Sequence, residues 1–307
     1  MRLPLLGAAA CSGTPGSGPQ QEAACTLERQ AVLPMELRNG EVIIPARIAD
    51  RPASLILDTG SEGAMLTEQG AARLNLPADP RGTTTITGTS GTIRANRVLL
   101  RGLELGGNEF PPELVPVASL SPQGEDNRPA DGLIGAEILS FFDVDLDFPH
   151  RRVTLYDVRN CSGNFLPWTT PYTSVTLTRT SRNLLLLPVE LDGHPMTALF
   201  DTGANRGRVN RSAALQAGVT PVQMNRDTHA MERGVGGNVV PSAVHHFAEL
   251  EIGGERFHNV ELPVAERAVP QADMLLGLPY MVTRHIWLSY ATHQMFIERR
   301  PDATIAQ

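Results

Sequence analysis

Short apolar runs, each bounded by glycine, proline, asparagine or aspartate, follow one another along most of the chain. Two examples are EVIIPARIADRPASLIL and LLLLPVELDGHPMTALF, which end just before residues 58 and 201. Runs of this length between turn residues predict β-strands joined by tight turns, and the Asp-Gly pair at 192–193 predicts a two-residue hairpin. The pattern therefore predicts a mostly β fold.

Two short helices are expected among the strands. EQGAARLNL follows Thr67, and AALQAGV follows Asn210 and Ser212, so these polar residues are candidate N-caps. A closing hairpin is predicted in each half of the chain, FFDVDLDFPHRRVTLY in the first and HIWLSYATHQMFIE in the second. The alternation in DVDLD, residues 143–147, predicts a half-exposed strand rather than a metal site.

The chain contains an internal repeat. Asp-Thr-Gly occurs twice, with Asp58 and Asp201 lying 143 residues apart (201 − 58). GTSGTI, LELGG and ADGLIGAEIL follow the first triplet, and GVGGNV, LEIGG and ADMLLGLPYM follow the second in the same order. Gly135 and Gly277 lie 77 and 76 residues after their aspartates (135 − 58, 277 − 201). Two fused copies of one unit predict two similar lobes.

The repeat divides the chain into consecutive parts. The leader and tether precede the first copy, and a segment that belongs to neither copy separates the two. The expected parts are a leader and tether at 1–30, an N-terminal lobe at 31–157, a connection at 158–182, a C-terminal lobe at 183–300 and a tail at 301–307.

Composition and charge argue against a nucleic-acid-binding protein and against a membrane-spanning protein. The chain has 307 residues, 41% of them hydrophobic, and a net charge of −7; all 26 basic residues are arginine. The sequence contains no concentrated basic patch, so we expect no nucleic-acid partner. No apolar run approaches the roughly 18 to 20 residues of a membrane span. We therefore expect no membrane-spanning segment.

The N-terminus and the cysteines indicate export. MRLPLLGAAAC resembles the end of a bacterial lipoprotein signal, which makes Cys11 a candidate for lipidation, and SGTPGSGPQQEAA reads as a flexible tether. A disordered cytoplasmic tail is the alternative. If Cys11 is lipidated or cleaved away, two cysteines remain, Cys25 and Cys161. Export favours a disulfide between them over a pair of free thiols. We expect a periplasmic protein or an outer-membrane-anchored lipoprotein of a bacterium.

The two triplets carry the candidate chemistry. An isolated Asp-Thr-Gly is most often a structural turn, but the apolar runs LIL and ALF would deliver Asp58 and Asp201 into the interior. Lobes related by an approximate two-fold axis would bring the two carboxyls together, where they must share one proton. The ionised carboxylate can then take a proton from water while the protonated one polarises a carbonyl, which is peptide hydrolysis without a metal or a covalent intermediate.

The other triplet residues are expected to support this dyad. Hydroxyls of Thr59 and Thr202 suit hydrogen bonds across the interface between the lobes. Gly60 and Gly203 allow backbone N–H groups to approach the carboxylates.

The residue after each triplet differs between the copies. It is Ser61 in the first copy and Ala204 in the second. A hydroxyl at this position can donate to the neighbouring carboxylate and favour its ionised form. On this basis Asp58 is expected to carry the charge more often.

The chain resembles the aspartic proteases of the pepsin and retropepsin superfamily, particularly the bacterial periplasmic, retropepsin-like members with a single chain. The resemblance covers about residues 33 to 300 and rests on the two triplets and on the segments ending at Gly135 and Gly277. It implies that Asp58 and Asp201 form the catalytic dyad. It also implies that Gly135 and Gly277 belong to the ψ loops, which pass behind the catalytic turns.

The resemblance further implies two flaps over the cleft. Pepsin-like enzymes carry a tyrosine on the first flap, and TITGTSGTIRAN contains none, which favours the retropepsin side of the superfamily. An extended polypeptide substrate would lie between flaps and floor. The implied flap residues are Gly88, Thr89, Ser90, Gly91, Gly234, Val235, Gly236 and Gly237.

The function expected from the sequence is that of an exported aspartic endopeptidase. It would act as a monomer, because both aspartates belong to one chain, and it would need no cofactor or metal. A peptide-binding protein of the same fold with little or no turnover is the alternative. A scaffolding lipoprotein of the cell envelope would leave the duplicated triplet unexplained.

Overall fold

The computed structural model describes residues 24–88, 91–120, 128–233, 239–266, 269 and 271–299. The fold is mostly β and is built from two barrel-like lobes, as the sequence predicts. Cys11 lies outside the described residues.

The helices are α1 Glu68–Arg73, α2 Ala136–Leu139, α3 Arg211–Gln216, α4 Pro221–Arg226 and α5 Leu278–Met281. Within the described part of the chain, no helix is long and apolar enough to cross a membrane.

The strands follow the apolar runs of the sequence. Those up to residue 159 are β1 Thr26–Pro34, β2 Glu36–Arg38, β3 Glu41–Ile48, β4 Arg51–Leu57, β5 Met65–Leu66, β6 Ala78–Gly88, β7 Gly91–Leu100, β8 Leu103–Leu105, β9 Asn108–Phe110, β10 Glu113–Val117, β11 Gly132–Ile134, β12 Asp143–Asp147 and β13 Arg152–Arg159. Those after it are β14 Tyr172–Thr176, β15 Thr178–Arg179, β16 Leu185–Leu191, β17 His194–Phe200, β18 Arg208–Asn210, β19 Thr228–Arg233, β20 Val239–Ile252, β21 Glu255–Ala265, β22 Met274–Leu276, β23 His285–Ser289 and β24 Gln294–Glu298.

The two lobes share one strand arrangement around the triplets. In the first lobe, β11 runs parallel to β4 and antiparallel to β5, and β3 lies on the other side of β4. In the second lobe, β22 has the same relation to β17 and β18, and β16 lies beside β17. This agreement confirms that the sequence repeat is a structural repeat.

The hairpin that precedes each triplet turns in the same way in both lobes. Ala49 and Asp50 have φ of 47° and 62°, and Asp192 and Gly193 have φ of 50° and 74°. Two successive residues in the left-handed region form a type I′ turn, whose twist matches that of the flanking strands. The two-residue hairpin predicted at Asp192-Gly193 is therefore confirmed.

Of the predicted caps, Thr67 is confirmed, Asn210 has the N-cap position without a cap bond, and Ser212 lies inside α3. Thr67 caps α1, with its side-chain oxygen accepting the backbone N–H of Gly70 at 2.9 Å. Asn210 occupies the N-cap position of α3, but its side chain makes no cap bond. Instead the Asn210 amide accepts the N–H of Val269 at 2.7 Å and donates to the carbonyl of Ala272 at 2.6 Å. It therefore ties a loop to β18.

A third sheet joins the lobes. Its strand order is β1-β13-β12-β23-β24-β14, so both predicted closing hairpins belong to it. The two hairpins meet where β12 pairs with β23, with Val144 opposite Leu288. The predicted connection, 158–182, contains β14, which pairs with β24, and β15, which pairs with β16. The segment between the repeats is thus built into the sheets that it links.

The expectation that residues 143–147 form a half-exposed strand is wrong. Asp143, Asp145 and Asp147 are 2%, 5% and 1% exposed, because β12 lies inside the sheet between β13 and β23. Hydrogen bonds compensate for the burial of these carboxylates. Trp287 Nε1 donates to Asp143 at 3.0 Å, and Arg152 donates to Asp147 at 2.7 Å.

The predicted disulfide between Cys25 and Cys161 is present. It lies beside the first residue pair of the β1–β13 ladder, Thr26 opposite Arg159. The bridge closes a loop with a sequence separation of 136 residues. It therefore secures the segment leading into the first lobe against the start of the connection.

Replacing both bridged cysteines with serine is expected to lower the free energy of unfolding by about 3 to 5 kcal/mol, because the unfolded chain regains the entropy of a long open loop. Urea unfolding of the oxidised protein and of the variant measures the difference. Reduction of the parent protein with dithiothreitol should give the same loss. Equal midpoints in all samples would show that the bridge contributes nothing to stability.

Candidate active site

Each triplet begins where a central strand of its lobe ends. The backbone N–H of Asp58 donates to Ile134 O at 3.0 Å, and that of Asp201 donates to Leu276 O at 3.0 Å. The chain then turns so that a glycine N–H meets the carboxylate. Gly60 N–H donates to Asp58 Oδ1 at 3.0 Å, and the equivalent bond in the second lobe is 2.9 Å long. Both carboxyls are thus held by their own turns.

The two aspartates face each other across the interface between the lobes. A Cβ placed on Gly60 would overlap the carboxyl of Asp201, and a Cβ placed on Gly203 would overlap that of Asp58. The two side chains also interact by charge and by hydrogen bonding. Glycine is therefore required in each triplet because the carboxyl of the opposite lobe occupies the space of a side chain.

The threonines of the triplets lock the two turns together. The backbone N–H of each threonine donates to the hydroxyl oxygen of the other, both at 3.0 Å. Thr59 Oγ1 in turn donates to Phe200 O at 2.8 Å, and Thr202 Oγ1 donates to Leu57 O at 2.6 Å. Both threonines are fully buried. These bonds cross the interface, as the sequence predicts, and fix the relative position of the aspartates.

The segments ending at Gly135 and Gly277 pass directly behind the two Asp-Thr-Gly turns. A Cβ on Gly135 would lie 2.5 Å from Ser61 O, and one on Gly277 would lie 2.6 Å from Ala204 O. The residues that follow these glycines complete the contact. The N–H of Ala136 donates to Ser61 O at 2.8 Å, and Leu278 N–H donates to the carbonyl of Ala204 at 2.9 Å. Each turn is therefore supported by the start of α2 or α5.

Burial raises the pKa of both aspartates. For Asp58, the negative charge of Asp201 adds to the effect of burial, and the pKa lies well above its usual range. For Asp201, the effect of burial is opposed first by hydrogen bonds, from Gly203 N–H, from the Asp58 side chain and from Ala204 N–H, and then by the charge of Arg208. Two carboxyls that interact in this way cannot both ionise readily, so the pair holds one proton in common.

The expected role of the Ser61 hydroxyl is wrong. Ser61 Oγ donates to the carbonyl of Gly63 at 2.9 Å rather than to Asp58. The backbone N–H of Ser61, which Ala204 also possesses, is the group that contacts the carboxylate. The hydroxyl consequently supports the loop and does not stabilise the ionised form of Asp58.

The predicted flaps are described only in part. Gly88 lies opposite Gly91 at the end of the β6–β7 hairpin, while Thr89, Ser90 and 234–237 lie outside the described residues. Ile86 and Ile93, on the same hairpin, pack against an apolar cluster of the first lobe that includes Ile56. The β6–β7 hairpin thus covers the face of the lobe on which Asp58 lies.

Glu41 is an ionisable group near this face that the sequence analysis did not identify. It lines a small cavity together with Ile56, two residues before Asp58. Burial raises its pKa to about 7, although the positive charge of Arg38 partly opposes the rise. Alignment of the two repeats could have identified Glu41, because the equivalent position in the second copy is the apolar Leu184.

Replacing Glu41 with glutamine is expected to stabilise the protein increasingly as the pH rises. The folded chain holds this proton more tightly than the unfolded chain, so native stability falls between the ordinary pKa of 4.5 and about 7. Glutamine has the same shape and no charge. Urea unfolding of both proteins at pH 4.5 and pH 8 should show a difference only at pH 8; an equal difference at both values would contradict the assignment.

In the described part of the chain, no group of three or more histidine, cysteine, aspartate or glutamate side chains is arranged to hold a metal ion.

Two segments of the chain match one family model, whose description is aspartyl protease. They cover residues 44–138 and 187–280, one in each repeat and together more than half of the chain. Each match contains one Asp-Thr-Gly triplet and the glycine of the segment behind it. A comparison with curated proteins gave no match.

Proposed function

The chain belongs to the aspartyl protease family, and we propose that it is an aspartic endopeptidase. It hydrolyses peptide bonds with a water molecule activated between Asp58 and Asp201. The observation that carries the proposal is the packing of each carboxyl against the glycine of the opposite triplet. This packing brings together two carboxyls, a buried one on Asp201 and a partly buried one on Asp58, that must share a proton.

The reaction is a general acid–base hydrolysis. The ionised aspartate removes a proton from the water as its oxygen attacks the carbonyl carbon, and the protonated aspartate donates its proton to the carbonyl oxygen. The resulting tetrahedral intermediate breaks its C–N bond when the amide nitrogen receives a proton from the dyad. As the C–N bond breaks, one hydroxyl of the intermediate returns its proton to the dyad, and the products are a carboxylic acid and an amine.

The cleft suits an extended polypeptide. Each lobe presents an apolar cluster that is separate from the continuous core: Ile56 belongs to one and Leu199 to the other. Since side chains alternate along a strand, each of these residues lies on the same face as the aspartate two positions later. We propose that these clusters form the floor of the cleft and that the β6–β7 and β19–β20 hairpins bind the substrate backbone from above.

We further propose that the enzyme is exported and acts as a monomer. The disulfide between Cys25 and Cys161 favours an oxidising compartment, since disulfides persist outside the cytosol. A lipid on Cys11 would anchor the protein at the cell envelope through the tether that follows it. Both aspartates belong to one chain, so a second copy is not needed to complete the dyad.

The proposal is tested by incubating the purified protein with denatured casein between pH 4 and 7, with and without pepstatin. An endopeptidase produces new internal termini, which mass spectrometry identifies, and pepstatin suppresses them. In water enriched in oxygen-18, one heavy oxygen should enter each new carboxyl terminus in a single turnover. Saturable peptide binding with no new termini would instead support the alternative of a peptide-binding protein of the same fold.

A further inference from the structure

The face that carries each aspartate is built alike in the two lobes. In the first lobe, Leu133 of β11 lies beside Ile56 of β4 and, on its other side, beside Met65 of β5. Neighbours across a ladder project to the same face of a sheet, and all three residues belong to one apolar cluster. Because Ile56 shares its face with Asp58, this row of side chains leads towards the dyad.

The second lobe repeats the row with one exception. Leu275 of β22 lies beside Leu199 of β17 and, on its other side, beside Arg208 of β18. Met65 and Arg208 both stand seven residues after their aspartates (65 − 58, 208 − 201). An arginine therefore replaces a methionine at equivalent positions of an otherwise apolar face.

Arg208 is buried, with only 4% of its surface exposed. A charge in such a place acts strongly on its neighbours, because the low dielectric of the interior weakens screening. Its positive charge favours the ionised form of Asp201. The negative charge of Asp201, in contrast, favours the protonated form of Asp58.

The first lobe has the apolar Met65 where the second lobe has this cation. Both a hydrogen bond with Asp58 and the charge of Arg208 favour the ionised form of Asp201. Strand β22 lies between Arg208 and the strand of Asp201 and contributes the apolar segment Met274–Leu276. Glu62 follows the first triplet but is paired with Arg182 at 3.5 Å. The arrangement around the pair is thus asymmetric although the backbone is repeated.

We propose that Arg208 is a positioning residue that breaks the symmetry of the dyad: its guanidinium keeps Asp201 ionised and leaves the shared proton on Asp58. This inference deepens the proposed function and rests on it. It gives Asp201 the role of the base that removes a proton from water. Asp58 is then the acid that donates its proton to the carbonyl oxygen, and the proton taken by Asp201 later passes to the amide nitrogen.

The order of protonation can be measured without catalysis. Protein labelled with carbon-13 at the aspartate carboxyl carbons is titrated by NMR, and Asp58→Asn and Asp201→Asn identify the two signals. The Asp201 signal should titrate at lower pH than that of Asp58. In Arg208→Met, which introduces the residue of the first repeat, the Asp201 titration should move to higher pH, whereas Arg208→Lys should stay close to the parent. An unchanged Asp201 titration in Arg208→Met would overturn the proposal.

The pH profile of casein hydrolysis gives a second test, with each profile scaled to its own maximum. The acid limb of kcat/KM should move to higher pH in Arg208→Met. At a pH on the parent's acid limb, the scaled rate of this variant should therefore be several-fold lower than that of the parent. Arg208→Lys should have the parental profile. Arg208→Gln serves as the neutral variant if methionine prevents folding. Failure of the proposed function would appear as absence of hydrolysis in the parent protein, and the NMR titration would then still decide the role of Arg208.

The reciprocal exchange is the sharpest form of the experiment. In the double variant Met65→Arg/Arg208→Met the cation moves to the equivalent place in the first lobe. The order of the two titrations should then reverse, with Asp58 titrating at lower pH than Asp201. Retention of the parental order in a folded double variant would show that Arg208 does not set it.

Discussion

Replacement of either Asp58 or Asp201 with asparagine is expected to lower kcat/KM for casein hydrolysis by about 10³-fold, within the range that general acid–base catalysis contributes. Asparagine keeps the shape of the side chain and its bond to the glycine N–H. It cannot ionise or transfer a carboxyl proton, so the remaining carboxylate has no acidic partner with which to share one. Initial rates of peptide release at the optimum pH of the parent measure the loss.

The matched control for these variants is Asp50→Asn. Asp50 lies in the exposed hairpin turn before the first triplet with a φ of 62°, which asparagine adopts readily. It should retain the parental rate. A loss below tenfold in both active-site variants would contradict the dyad, and a loss in only one of them would indicate that a single carboxyl carries the chemistry.

Replacement of Thr202 with valine is expected to lower the free energy of unfolding by roughly 2 to 5 kcal/mol. Valine has nearly the same shape but cannot accept the N–H of Thr59 at 3.0 Å or donate to Leu57 O at 2.6 Å. Both groups would remain buried without this partner. Since these bonds also position the two turns, kcat should fall together with stability.

Thr202→Ser is the control for this prediction, because serine keeps the hydroxyl and loses only a methyl group, at a cost of about 1 kcal/mol. Urea unfolding and initial rates are measured for both variants. If the valine and serine variants were equally stable and equally active, the hydrogen bonds across the interface would contribute little, and packing alone would hold the turns in place.

The repeat made most of the fold predictable. Matching pieces in the same order predicted two lobes, and the type I′ turn at Asp192-Gly193 has its counterpart at Ala49-Asp50. The triplets predicted the meeting of Asp58 and the second aspartate, because a buried strand end has few ways to compensate a carboxyl other than by pairing it. Local chemistry and symmetry together were sufficient for these features.

Features that depend on the packing of distant strands were not predictable. The alternation of DVDLD is the same whether one face of β12 meets solvent or another strand, so the burial of Asp143 could not be read from it. Ser61 can donate to several nearby acceptors, and the loop geometry selects Gly63 O. The place of Arg208 beside Leu275 emerged only from the strand register.

If the proposed mechanism is correct, two carboxyls from separate repeats act on one atom. A crystal structure of the protein with a peptide analogue that carries a hydroxyl in place of the scissile carbonyl would show this arrangement. We expect this hydroxyl to lie within hydrogen-bond distance, about 2.5 to 3.0 Å, of oxygens from both Asp58 and Asp201. A hydroxyl bound to only one of them, with the other carboxyl farther away than one water molecule can bridge, would contradict it.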